Sequence, residues 1–222
     1  MNMNSQCLWE KGGSVDINPV SVVLQQVSCQ RKEVLLACVC EGFGEEKHAA
    51  TQSGYFTERL VEWFHKRYLK KLLEKGWEGE ITRDLKEELE KITQELKLYA
   101  KKSGVAKIQY RGILIQNNQC WIFGRGETGL FLFNRRFNKV YVKPIVLSEE
   151  KTVWEGRIQK NVGLLLCTAS FYQIFDRTEV TEVLFGDKKQ SEESVKKQLM
   201  ELWREGEIRG LKKAGAVFVR TY

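Results

Sequence analysis

Two β-rich runs open the hydrophobic pattern of the chain. Residues 20–28, VSVVLQQVS, and 33–40, EVLLACVC, are separated by the polar sequence CQRK. Two such runs joined by a short polar connection are typical of a β-hairpin. The second run continues into EGFGEE at 41–46, a glycine-rich acidic segment that predicts a turn where the strand ends.

Two amphipathic helices are predicted after this turn. Apolar side chains recur every four residues over 56–73, and at intervals of three and four over 81–99, where Glu and Lys occupy the other face. Gly76 and Gly79 are expected to end the first helix, and KKSG at 101–104 the second. We expect the two helices to lie antiparallel in one layer.

The pattern then changes to a β-meander. Four runs are predicted as two hairpins, and the first hairpin turns at Asn117-Asn118, a pair that tolerates positive φ. The four runs are 107–116, 119–124, 129–134 and 139–145.

The last third of the chain completes the set of elements. The continuous apolar run at 162–169 is typical of a central strand covered on both faces. Short helical pieces are predicted at 170–175 and 178–186, and Ser191 followed by two glutamates favours the start of a further helix. The final residues, 214–222, are predicted as a strand. This order favours two stacked antiparallel sheets with helices outside them.

Bulk properties narrow the class of protein. The 222 residues are 42% hydrophobic and 29% charged, and only two are proline, so we expect one globular domain over 1–222, with irregular structure over 1–18. No run approaches the roughly 18 apolar residues of a membrane span, and the N-terminal sequence lacks the features of a signal peptide. We therefore expect a cytoplasmic protein without membrane contact.

Cysteine and charge patterns argue against two further classes, zinc-binding and nucleic-acid-binding proteins. The six cysteines form no C-x-x-C pair and there are only two histidines, so buried free thiols are expected rather than zinc ligands. The formal net charge is +7, but Lys and Arg occur in short clusters among acids or at predicted turns and helix surfaces. Such clusters are typical of solvated surface, and nucleic-acid binding is not expected.

Four segments stand in order along nearly the whole chain: LLACVCEGFGEE at 35–46, GRGETGLFLF at 124–133, LLLCTAS at 164–170 and KKAGAV at 212–217. Together they resemble motifs of the metal-dependent Ser/Thr protein phosphatases of type 2C (the PPM family). The resemblance implies an α+β fold, a four-layer α-β-β-α sandwich with a two-metal site at one end of the sheets. The family's Asp-Gly-Met-Gly-Gly, Gly-Asp-Ser-Arg, Ser-Asp-Gly and closing Asp-Asn are matched in turn by 41–45, by 126–129, by Thr168, Ala169 and Ser170, and by Ala214 and Gly215.

The resemblance also implies a degenerate site. Alanine stands for two of the family's metal-binding aspartates, at Ala169 and Ala214, and a methyl group cannot ligate a metal. Glu41 keeps the charge of the bridging aspartate on a longer side chain. We expect no catalytic residue, no bound metal and no cofactor. The candidate ligand-binding positions are Glu41, Gly42, Glu127, Thr168, Ala169, Ser170, Ala214 and Gly215.

Several alternatives remain open at these positions. Glu41 is either part of a binding site or a solvated turn residue, and Glu127 is either a site residue or a surface acid beside Arg125. Ser170 lacks a nearby histidine and a G-x-S-x-G elbow, which argues against a nucleophile. The segment GRGETG at 124–129 lacks the ending of a P-loop.

The favoured hypothesis is a pseudophosphatase that binds a protein, such as a phosphorylated protein or a kinase, in intracellular signalling. The alternative is a weak metal-dependent phosphoprotein phosphatase with a rearranged site that uses Glu41 and Glu127. A nucleic-acid-binding protein is the third hypothesis.

Overall fold

The computed structural model describes residues 2–13, 16–29, 32–75, 80–103, 107–136, 139–147, 152–175, 177–185 and 192–222. Ten strands are present in this part of the chain: β1 (Met3–Lys11), β2 (Val20–Cys29), β3 (Lys32–Phe43), β4 (Lys107–Gln116), β5 (Gln119–Arg125), β6 (Gly129–Arg136), β7 (Lys139–Pro144), β8 (Val153–Arg157), β9 (Val162–Cys167) and β10 (Lys213–Thr221). Six α-helices accompany them: α1 (Glu46–Trp63), α2 (Lys70–Lys75), α3 (Ile81–Ser103), α4 (Ala169–Ile174), α5 (Arg177–Phe185) and α6 (Glu192–Ile208).

The strands form two five-stranded sheets in which every neighbouring pair is antiparallel. The first sheet has the order β1-β10-β9-β6-β7, and the second has the order β2-β3-β4-β5-β8. The predicted hairpins β2–β3, β4–β5 and β6–β7 are confirmed, and Asn117 in the second hairpin has a φ of 55°. The run predicted as a central strand is β9, which lies in the middle of its sheet.

Three apolar layers separate the sheets from one another and from the helices. One lies between the second sheet and α1–α3, one between the two sheets, and one between the first sheet and α4–α6. The order is therefore helices, sheet, sheet, helices. This confirms the predicted α+β, four-layer α-β-β-α sandwich.

Strand β3 shows how the sequence fits this arrangement. Its residues are buried on both faces, because the even positions pack against the helices and the odd positions pack against the first sheet. The helix-facing residues are Val34, Leu36, Cys38 and Cys40, and the sheet-facing residues are Leu35, Ala37 and Val39. Glu41 continues the odd series, so it enters the end of the space between the sheets.

The helices on the second sheet lie antiparallel in one layer, as predicted. Tyr55 donates to Glu95 over 2.8 Å and Trp63 donates to Asp84 over 3.1 Å, so α1 and α3 run antiparallel. A π-helical segment, Phe64–Leu69, joins α1 to α2. The predicted boundaries at Gly76, Gly79, Gly104 and Ser191 lie outside the described residues.

Helix α1 begins ten residues before the apolar stripe that predicted it. Its first two turns bury Ala49, Gln52 and Ser53, which carry little apolar surface and so add nothing to a hydrophobic pattern. The close approach of strand β3 to helix α1 explains why small residues are found there. A Cβ atom on Gly42 would lie 2.1 Å from the carbonyl oxygen of Ala49, so β3 and α1 touch backbone to backbone.

Two predictions about strands and termini need correction, and one strand was not predicted. The expectation of irregular structure over 1–18 is wrong for Met3–Lys11, which pairs with β10 along its whole length. Its side chains do not alternate between buried and exposed, so the sequence pattern does not indicate a strand. The strand is identified by its backbone hydrogen bonds at the edge of the sheet. Strand β8 was not predicted, since only Val153 is fully buried there. The strand predicted over 162–169 is too long, because β9 ends at Cys167 and α4 begins at Ala169.

The cysteines mostly follow the expected pattern. Cys38, Cys40, Cys120 and Cys167 are buried free thiols, and burial raises the pKa of Cys120 to about 11. The prediction is wrong for Cys7, which is exposed, and the Cys29 side chain lies outside the described residues. Among the described helices, none is long and apolar enough to span a membrane.

We predict that Gly42→Ala lowers the free energy of unfolding by about 3 kcal/mol, because the added methyl group meets main-chain atoms of α1 that cannot rotate away. Gly54→Ala is the matched control. An added Cβ at Gly54 has no atom within 4 Å, so this change should raise stability by about 0.5–1 kcal/mol through helix propensity. Urea unfolding measures both. A fully stable Gly42→Ala protein would contradict the described contact between β3 and α1.

Candidate functional site

The acidic residue at the end of β3 is buried and paired. Glu41 is only 2% exposed, and Lys213 Nζ lies 3.2 Å from its Oε1 atom. Oε2 has no hydrogen-bond partner among the described residues. The interpretation of Glu41 as a solvated turn residue is therefore wrong.

Lys213 reaches Glu41 from the other sheet. It opens β10, and its ammonium group also lies 5.6 Å from the centre of the Phe43 ring, a favourable cation–π position. Burial raises the pKa of Glu41, while the charge and hydrogen bond of Lys213 oppose that rise. The carboxylate thus depends on this lysine for its only counter-charge within 4 Å in the described structure.

Lys213 is the site residue that the sequence analysis missed. It belongs to LKKAG at 211–215, one of the short basic clusters that the charge pattern predicts as solvated surface. Counting back by twos from Val217 and Val219, both in the layer between the sheets, would have found it. Ala214 packs instead in the layer beneath α4–α6. Ala214 is therefore not the residue of β10 that points toward Glu41.

The start of α4 is joined to the start of β10. Thr168, the N-cap residue, donates its backbone N–H to the Gly215 carbonyl over 3.0 Å, and the Ser170 hydroxyl donates to the Lys213 carbonyl over 3.2 Å. Ala169 is buried as the first residue of the helix. Four predicted positions, Thr168, Ala169, Ser170 and Gly215, thus lie around the strand end that carries Lys213.

Gly42 and Gly215 allow close packing at this end of the sandwich. The Gly42 backbone N–H donates to the Pro19 carbonyl over 2.9 Å. A Cβ on Gly215 would lie 2.5 Å from Val20 Cγ1 in the opposite sheet. Both glycines therefore allow the close packing of the site.

Glu127 lies on a neighbouring turn with its side chain exposed. Its backbone N–H donates to Gln109 Oε1 over 3.0 Å, and Gln109 pairs with Glu41 across β3 and β4. Its carbonyl accepts a 2.8 Å hydrogen bond from the Tyr172 hydroxyl. The main chain of Glu127 is tied to the site, while its carboxylate agrees with the interpretation as a surface acid.

Arg111, on strand β4, supports the turn that carries Glu127. No motif in the sequence marks this arginine. It is 4% exposed and lies opposite Val39 on the face between the sheets. Its Nε donates to the Thr128 carbonyl over 3.2 Å, and its Nη2 donates to the Gly126 carbonyl over 3.1 Å. Alternation along β4 was available as a signal, because Ile113 and Ile115 face the same layer.

The donor groups present do not fit the two-metal centre that the resemblance implies. Hard divalent cations require several oxygen ligands around each ion. Within the described ranges, no group of three or more His, Cys, Asp or Glu residues lies close enough to hold a metal. The buried carboxylate of Glu41 faces an ammonium group instead. No reaction step through a metal follows from this arrangement.

We predict that Lys213→Met lowers the free energy of unfolding by about 2 kcal/mol at pH 8. Breaking a fully buried pair costs about 3–5 kcal/mol, and the 29% exposure of the Lys213 side chain reduces that cost through solvent screening. Urea unfolding with Glu41→Gln and the double variant as controls measures the loss.

The loss should depend on pH with a defined sign. A carboxyl group whose pKa is raised on folding stabilises the protein below its ordinary pKa of 4.5, and that contribution is lost as the pH rises through the folded value. Removing Lys213 raises the Glu41 pKa further, so the loss should be larger at pH 8 than at pH 5. An equal loss at both pH values, or one unchanged by Glu41→Gln, would contradict the pairing.

Known structures share the whole architecture of the chain. No family model matches its sequence, and no curated protein does so either. A bacterial serine phosphatase superimposes with a TM-score of 0.75 at 14% identity, covering 99% of this chain and 98% of that one. The catalytic domain of the serine/threonine protein phosphatase PstP, in complex with two manganese ions, gives 0.73 at 13% identity, covering 98% and 96%.

A third neighbour is PppA, a key regulatory component of the T6SS in Pseudomonas aeruginosa. It superimposes with a TM-score of 0.73 at 13% identity, covering 100% of this chain and 99% of that one. All three likenesses span both sheets and both helical layers. The chain has the fold of the type 2C serine/threonine phosphatases that its motifs resemble.

Proposed function

We propose that the protein is a pseudophosphatase, a type 2C-like sandwich that binds a protein partner without hydrolysing phosphoesters. The observation that carries this proposal is the ion pair between Lys213 and Glu41. Glu41 stands where the resemblance expects the metal-bridging aspartate, and its counter-charge comes from the protein's own lysine.

An ammonium group cannot replace the chemistry of bound divalent ions. In two-metal sites the ions lower the pKa of the attacking water and stabilise both the attacking and the leaving oxygen. Lys213 supplies one positive charge and hydrogen-bond donors, but it has no open coordination position for water. It also repels any divalent cation that approaches Glu41. Neutralising this carboxylate therefore favours a stable metal-free protein.

The proposed partner is a phosphorylated protein or a signalling protein such as a kinase. This half of the proposal rests on analogy with neighbours, of which one is a serine/threonine protein phosphatase and another a regulatory component. The formal net charge of +7 favours an acidic partner, and phosphorylation makes a peptide more acidic.

We predict no turnover of p-nitrophenyl phosphate or a phosphothreonine peptide above the blank with magnesium or manganese supplied. Loss of the ions removes both the nucleophile and its charge stabilisation, which together contribute several powers of ten in rate. The PstP catalytic domain is the positive control. Metal-dependent turnover abolished by Glu41→Ala would overturn the proposal in favour of a weak phosphatase that uses Glu41 and Glu127.

Thermal melting in EDTA and in millimolar manganese tests the same point without a substrate. A protein with an intact metal site gains about 2.7 kcal/mol when the ion is at a hundredfold excess over its dissociation constant. We expect the melting temperature of this chain to be unchanged. A saturable rise that is lost in Glu41→Gln or Glu127→Gln would show that a working metal site exists here.

The binding half is tested by fluorescence anisotropy in EDTA with a library of threonine-containing peptides. We expect phosphorylated members to bind at least about tenfold more tightly than their unphosphorylated counterparts, since ionised phosphate adds charge-assisted hydrogen bonds. Equal affinity of the two forms would contradict a phosphoprotein partner.

A further inference from the structure

A cavity of about 720 Å³ lies beside the turn at 126–128, between strands β6 and β7 and helices α4 and α5. This volume is within the range of pockets that hold small organic ligands, about 300–1,000 Å³. Most of its wall is apolar, contributed by Leu130, Phe131, Phe133, Val142, Phe171 and Phe175.

One end of the cavity carries a buried cation. Arg111 forms part of the wall there, and Nη1 of its guanidinium has no hydrogen-bond partner in the described structure. The other nitrogens donate only to backbone carbonyls, and no described carboxylate forms an ion pair with this arginine. Arginine remains protonated at neutral pH, although burial lowers its pKa.

Thr128 adds a second unsatisfied group at the same end. It is 3% exposed, it lines the cavity, and its hydroxyl has no partner among the described residues. Buried polar groups in native proteins are almost always hydrogen-bonded, and a buried charge without a partner is costly. An anionic group bound in the cavity would supply the counter-charge that Arg111 lacks among the described residues.

We propose that this cavity binds an amphipathic carboxylate, with the carboxylate against Arg111 and Thr128 and an apolar aliphatic or aromatic body among the phenylalanines. The Glu127 carboxylate at the rim is exposed and so is screened by solvent, which limits its repulsion of the ligand. Neither Glu41 nor Lys213 lines the cavity, so the proposal does not depend on the absence of phosphatase activity.

Isothermal titration calorimetry with decanoate tests the proposal on the unaltered protein. We expect saturable binding with a dissociation constant on the order of 100 µM. Decanol and decyltrimethylammonium have similar apolar bodies without the negative charge, and each should bind at least about tenfold more weakly. Equal binding of decanol and decanoate, or no saturable binding of decanoate at millimolar concentration, would overturn the proposal.

Three variants locate the binding. Arg111→Met should weaken decanoate binding about tenfold or more and leave decanol unaffected, whereas Arg125→Met, an exposed arginine near the same turn, should leave both unchanged. Val142→Trp should weaken both ligands by filling the cavity from β7 without touching the arginine. If Arg111→Met does not fold, the ligand comparison and Val142→Trp still decide. Undiminished decanoate binding in Val142→Trp would contradict this location.

Discussion

Burial of both faces of the central strands is the constraint on which the rest of the structure depends. Each sheet is covered by helices on one side and by the other sheet on the opposite side, so β3, β4, β9 and β10 have no solvated face. Apolar residues satisfy this constraint over most of each strand. At this end of the sandwich, three inward-facing charged residues break it within the described ranges: Glu41, Arg111 and Lys213.

The charges at these positions explain the character of the site. A two-metal enzyme collects acids at such a place and balances them with divalent cations. Among the described residues, the order is reversed, with one acid and two basic residues on the face between the sheets. Lys213 neutralises Glu41, while Arg111 is held only by carbonyl dipoles of the adjacent turn. These inward-facing residues therefore carry a net positive charge, which disfavours a cation and favours an anion.

The architecture was largely predictable because its signals are local. Hairpin turns and helical stripes identified β2–β7, β9, β10 and the helices, and the order of four motifs then indicated the sandwich. Met3–Lys11 and Val153–Arg157 were missed because they lie at sheet edges, where backbone pairing determines the strand and few side chains are buried. The first turns of α1 were missed because close packing against Gly42 selects small and polar residues.

The site was less predictable because the motif comparison looks for acids, whereas the residues that determine the local charge here are two bases, Arg111 and Lys213. Losses at Ala169 and Ala214 suggested an empty position, but the structure fills the space beside Glu41 with the side chain of Lys213. Neither basic residue resembles a family motif, and each is identified only by counting alternate positions along a strand to its end. That count locates a side chain between the sheets, but pairing across sheets is not encoded locally. Whether a buried base meets an acid, as Lys213 does, or meets only carbonyls, as Arg111 does, follows from how β4 and β10 approach β3 and β6 in three dimensions. The same alternation thus produces a neutralised pair at one point and an unsatisfied cation at another.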